Sequence, residues 1–156
     1  MEALLAGLEA SGIAGWLRTA RWGYAAVNGA HVLGIALLVG AILPLDLRLL
    51  GLWPGVDRTA LARVLVPVAA AGLAIAVVAG TLLFAVRARE YADLGVVQVK
   101  LTLVAVGVLS ALAAHRAGGV WLQQAGHRRL AVHALVSLVC WLGALACGRL
   151  IAFAVG

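Results

Sequence analysis

His31 sits inside a charge-free apolar run, residues 22–45, long enough to cross a bilayer. An ionisable side chain at membrane depth is costly, and where one occurs it marks a functional position. Tyr24, Asn28 and His31 follow i, i+4, i+7 spacing and share one helical face, with Gly34 close to it. Polar groups in lipid turn toward a bundle interior or a cavity, so this stripe is expected to face inward, with Gly34 leaving room for something bulky. Lys100 brings a second nitrogen. It enters a later apolar run from the same side, about 9 Å deep where His31 is about 12 Å deep, at 1.5 Å per residue. Leu103, Gly107, Ser110, Ala111 and Ala114 continue its stripe. From Gly107 onward these residues are small enough for close helix packing or for a flat ligand. Spacing alone leaves open whether packing brings His31 and Lys100 together.

An imidazole can ligate haem iron from within an apolar bundle. A lysine nearer the interface can pair with a propionate. A second pair lies toward the other membrane face, where His115 ends the third apolar run and His133 opens the fourth. Those two allow a bis-histidine haem or a metal ion. The expected cofactor is therefore haem b, one per chain, or two if the second pair is used. Plainer roles exist for each residue. His31 can hydrogen-bond a carbonyl, Lys100 can snorkel, and His115 and His133 can be interfacial neighbours of Arg116 and Arg129. His127 reads as a solvated loop residue. Arg149 is sixteen residues from His133, on nearly the opposite helical face, and suits headgroups or a partner subunit. Cys140 and Cys147 lie roughly 10 Å apart along one helix, too far for a disulfide. Asp46 reads as a helix-end anchor, able to pair with Arg63 on the next helix.

The elements that must hold these residues are membrane helices. The chain has 156 residues, 65% hydrophobic and 12% charged, about half the charge of a soluble domain. Charge-free runs at 22–45, 64–86, 101–115 and 130–148 approach or exceed the ~20 residues a spanning helix needs. They do not alternate residue by residue as outer-membrane strands do. The expected fold is all-α: an integral-membrane, up-down-up-down four-helix bundle with spans at about 22–43, 61–86, 94–116 and 129–154. Pro44, Pro54 and Gly55 mark the first loop, residues 87–93 the second and 118–129 the third. Pro67 is expected to kink the second span.

Residues 1–20 form a separate segment ahead of the membrane domain, 21–156. Leu4, Leu5, Leu8, Ile13, Trp16 and Leu17 recur at helical spacing, which predicts a short amphipathic helix over 2–18 lying on the membrane. Glu2 and Glu9 argue against a secretory signal. Trp16 and Trp22 fall at one interface, and Trp53 and Trp121 at the other; Trp141 is deep. We call the face carrying both termini side A and the opposite face side B. Side B carries Arg48, Arg58, Arg63, Arg116, Arg128 and Arg129; side A carries Arg18, Arg21, Arg87 and Arg89. This imbalance favours side B inside the cell and periplasmic termini. The net charge of +6 is spread over span ends, which argues against a nucleic-acid partner.

The segment Asn28-Gly29-Ala30-His31-Val32-Leu33-Gly34, followed by Asp46-Leu47-Arg48-Leu49-Leu50-Gly51, resembles a family of bacterial four-helix inner-membrane proteins. That family is similar in plan to the membrane domain of copper-resistance protein D and to HemJ-type protoporphyrinogen oxidase. The resemblance covers residues 20–150. HemJ-type proteins bind haem b and depend on a first-helix histidine and a third-helix lysine. The resemblance implies those roles for His31 and for Lys100, within Gln98-Val99-Lys100-Leu101. The N-terminal interfacial helix and the long third loop are departures, so the cofactor carries over better than the reaction.

The expected protein is thus a small inner-membrane b-type haem protein. It would transfer electrons with the quinone pool or oxidise a porphyrin-like partner, as a haem-dependent oxidoreductase if it is an enzyme. His31, Lys100, Asn28, Tyr24, Gly34 and Gly107 are the candidate cofactor contacts, with His31, His115 and His133 the candidate metal ligands. Lipid is a partner, and a homo-oligomer or a larger membrane complex is the expected setting. One rival is a non-catalytic accessory subunit of such a complex. The other, a metal or proton transporter, ranks last because polar groups lie near both faces with little between them.

Overall fold

A computed structural model describes residues 2–119, 121–124 and 126–154. Positions 120 and 125 of the expected third loop, and 1, 155 and 156 at the chain ends, lie outside the described residues. The elements are α1 (Glu2–Glu9), α2 (Gly12–Thr19), α3 (Arg21–Leu49), α4 (Arg58–Val86), α5 (Ala88–Asp93), α6 (Gly95–Gly118) and α7 (His127–Ala154), with no strand among the described residues. Four of them, α3, α4, α6 and α7, are long and apolar enough to cross a membrane, which makes this a multi-pass membrane protein.

Three elements differ from the sequence expectation, each for a local reason. The helix expected over 2–18 is two helices. Ser11 accepts a hydrogen bond from the amide of Ala14 as the N-cap of α2, and its hydroxyl donates to the Leu8 carbonyl at 2.7 Å. The first span does not stop at Pro44 but runs on to Leu49. A proline inside a helix removes one backbone bond and costs ~3 kcal/mol. The extra turn buries Leu45 and Leu49, each worth ~1.5–3 kcal/mol where the alternative is water. Burial therefore wins over the break. The second loop contains α5. Its first turn is capped from far away in sequence: Glu9 accepts from the Arg89 backbone amide and from Arg89 Nε, both at 2.9 Å.

Among the spans, α3 packs on α4 along one side and on α7 along the other, and α6 packs on α7. Neither α3 nor α4 packs on α6. The tightest contact is the α3–α4 crossing. A Cβ built on Gly34 would stand 2.5 Å from the Ala76 amide nitrogen and 2.8 Å from the Gly72 carbonyl oxygen; one on Gly72 would stand 2.5 Å from the Leu38 nitrogen. Only glycine at both positions lets the two backbones meet. At side B a core of Leu45, Leu49, Ala62, Ala114, Leu122, Leu130 and Ala134 joins all four spans. Val32, Leu33, Val78, Leu109 and Val139 are exposed along the spans, as lipid contact requires.

At side A, α1 and α2 dock on α4 and α5. Ala14, Leu17 and Ala88 are buried there. Arg18 ties the layer down, donating from Nη2 to the Glu9 carbonyl at 2.8 Å and from Nη1 to the Val86 carbonyl at 3.2 Å. Trp16 and Trp22 stay exposed at this end and Trp53 at the other, matching an aromatic belt.

Two predictions follow from these contacts. Gly34→Ala should lower the thermal midpoint in detergent, because overpacking costs ~1–3 kcal/mol. Gly29→Ala, whose added Cβ meets nothing within 4 Å, should be neutral or raise the midpoint by up to ~1 kcal/mol of helix preference. A Gly34→Ala midpoint at or above wild type would contradict the close approach. The second concerns the Glu9 carboxylate. Hydrogen bonds from the Arg89 amide and side chain hold it below the ordinary glutamate range. A lowered folded-state value contributes stability above the unfolded value and loses it as pH falls through the folded one. Protection of the α5 amides against hydrogen exchange, relative to the intrinsic rate at each pH, should therefore fall below the ordinary carboxylate range, and Glu9→Gln should show the lower protection already at pH 7.

Candidate functional site

His31 leaves α3 toward α4. Its Nδ1 lies 2.8 Å from the carbonyl oxygen of Ala76. A carbonyl only accepts, so Nδ1 carries the proton and donates, and Nε2 keeps its lone pair. Gly80, one turn further along α4, makes this possible: a Cβ there would stand 2.9 Å from His31 Cε1. The ring is half-buried. Lys100, also half-buried, runs along α7, where a Cβ on Gly148 would stand 3.4 Å from its Nζ. Its charge is within electrostatic reach of the His31 imidazole, although their helices are not packed together. The two nitrogens therefore border one region to which all four spans contribute: His31 on α3, Ala76 and Gly80 on α4, Lys100 on α6 and Gly148 on α7.

The other expected contacts are arranged differently. Tyr24 and Asn28 are exposed, so their stripe does not turn inward as a whole; its His31 end meets α4, and Tyr24 lies within electrostatic reach of Tyr91 on α5. Gly34 leaves room for the α4 backbone, not for a ligand. Gly107 likewise serves packing: a Cβ there would meet the Trp141 ring at 3.2 Å and Cys140 Cβ at 3.3 Å. Toward side B, His133 Nδ1 lies 2.9 Å from Ser110 Oγ. Ser110, not His115, is the α6 side chain that meets the His133 ring, and His115 is half-buried near the end of its helix. No three His, Cys, Asp or Glu side chains among the described residues converge to hold a metal ion. His127 is exposed and lines a side-B cavity of about 500 Å³ with Arg48 and Arg58. Arg149 is exposed, its guanidinium 4.8 Å from the centroid of the Phe153 ring. Cys140 is buried, Cys147 half-buried, and both are free thiols.

Asp46 corrects the helix-end reading. It is buried, only 5% exposed. The expected ion pair with Arg63 is not formed, and Arg63 is exposed. The ion pairs among the described residues are Arg87–Glu90 and Arg89–Glu9. Arg48 turns instead to the loop, donating from Nε to the Val56 carbonyl at 2.7 Å and from Nη2 to the Pro54 carbonyl at 3.2 Å. Ser137 of α7 approaches the Asp46 carboxyl, while Oδ2 has no hydrogen-bond partner. The signal was present in the chain. Leu38, Ala41, Leu45 and Leu49 keep one helical face across Pro44, which carries Asp46 into the packed helix instead of past its end. Trp141 Nε1 is likewise buried without a partner.

No protein-family model matches this chain, and neither do the curated proteins or solved structures with which it was compared.

Proposed function

We propose that this chain is a b-type haem-binding protein of the bacterial inner membrane, in which His31 Nε2 would hold the iron and Lys100 would pair with a propionate. The spans would form an up-down-up-down domain with side B inside the cell and α1 and α2 lying on the outer surface. One observation carries the reading. The Nδ1–H bond to the Ala76 carbonyl fixes the tautomer and orientation of His31 and leaves Nε2 unpartnered, the arrangement that prepares an imidazole to bind a metal. Two further features fit a flat, dianionic group. Lys100 supplies a positive charge near the imidazole, and α6 is not packed on α3 or α4, so a flat group would not have to displace a direct contact between those helices. A bound haem would supply one-electron chemistry, in exchange with a quinone or with a porphyrin-like substrate. The residues of this chain would set its orientation, its ligation and its access to water. Gly80 acts here as a positioning residue, because any side chain there would push the imidazole off its carbonyl.

The test is a dithionite-reduced minus oxidised absorption spectrum of the detergent-purified chain, with a pyridine haemochrome assay for stoichiometry. The expected result is a b-type α-band and about one haem per chain. His31→Ala should abolish it. Lys100→Ala should leave the band shape unchanged and weaken haem retention about tenfold, the size of one charge-assisted hydrogen bond. A ratio near two would bring in His115 and His133. An unchanged Soret band in His31→Ala would remove His31 as ligand. A featureless spectrum from haem-replete cells would leave the accessory-subunit reading in its place.

A further inference from the structure

Asp46 is the buried acidic group that the haem reading does not use. It is the only buried polar or charged side chain in the core of the described residues, 5% exposed. It follows Leu45 and precedes Leu49, both members of the side-B core. An ionised carboxylate in such surroundings is tolerated only when a cation or several donors compensate it. The elements packed on α3 carry Arg58 and Arg63 on α4, and His127, Arg128, Arg129 and His133 on α7. None of these forms an ion pair with Asp46. Arg58 donates to the Gln123 carbonyl, and the His133 ring is engaged with Ser110. Arg48, two residues along α3, is committed to the loop carbonyls. Ser137 of α7 is a polar neighbour, and Oδ2 has no hydrogen-bond partner.

We propose that the Asp46 carboxyl, with Ser137 beside it, is a proton-binding site inside the membrane domain, whose proton exchanges with water on side B. The carboxylate takes one proton from that water and becomes the neutral acid, which removes the charge that burial penalises. A metal cation fits poorly. Hard cations take six or more oxygens, and here one carboxyl and one hydroxyl are available. Asp46 lies three residues before the side-B end of α3, so the water on that side is the nearest to it. This proposal is independent of the haem reading and survives its failure.

The test is infrared difference spectroscopy of the full chain in lipid nanodiscs at pH 7, wild type minus Asp46→Asn. A protonated-carboxyl C=O band that shifts down in D2O, and is unchanged when choline replaces sodium, supports the site. No such band, a band that does not move in D2O, or one that appears only without sodium, overturns it. If Asp46→Asn does not accumulate, Ser137→Ala serves instead. The band should persist and change frequency as its hydrogen-bonding neighbour is lost; an unmoved band overturns the site as described.

Discussion

The backbone contact between α3 and α4 is the constraint on which the other features depend. In lipid, helices gain nothing from hiding apolar side chains from each other, so association rests on close packing and polar contacts. Gly34 and Gly72 let the two backbones touch, leaving no room for even a methyl group. That contact holds the two helices in a single register. Moving α3 by one residue would turn its side chains by about 100° and swing His31 off the Ala76 carbonyl. Glycine at Gly80 then lets the imidazole lie against α4. The same contact, continued toward side B, carries Leu45, Asp46 and Leu49 into the core beside Ala62.

Polar groups at membrane depth divide into those with partners and those without. His31 Nδ1 has the Ala76 carbonyl, and His133 has Ser110. Each bond joins two spans and fixes an orientation. Among the described residues, the fully buried side-chain atoms without partners are Asp46 Oδ2 and Trp141 Nε1. An unmade hydrogen bond in the interior costs ~1–3 kcal/mol, more for a charged group. Trp141 has a structural reason to be where it is, since its ring fills the space over Gly107. Asp46 has no comparable packing role, because a leucine would fill the same place without the cost.

The two ends of the molecule are built by different means. Side B is held by an apolar core that reaches all four spans. Side A is held by polar ties: Arg18 to two carbonyls, and Glu9 to the first turn of α5. Between them, α6 leans on α7 alone among the spans. His31 and Lys100 thus stand on spans that do not pack on each other. A rigid α3–α4 pair carries the imidazole, and the less constrained α6 carries the lysine.

Much of this was readable in the chain. Charge-free runs of bilayer length define four spans because hydrocarbon excludes charge, and that rule is local to each run. His31 stands out for the same reason, as an ionisable residue inside such a run. Tertiary packing decided what local rules do not reach. Pro44 reads as a stop, yet burial of Leu45 and Leu49 carried the helix past it and took Asp46 inside. Gly34 and Gly107 read as space for a ligand, yet α4 and Trp141 occupy that space, since periodicity says a face is small and not what covers it. Tyr24 and Asn28 share a face with His31, but it is His31 whose ring is bonded to another span. Residue type and spacing determined which groups are expensive to place in a membrane. Only the packing of one helix on another decided which of them found partners, because a partner is supplied by residues distant in the chain.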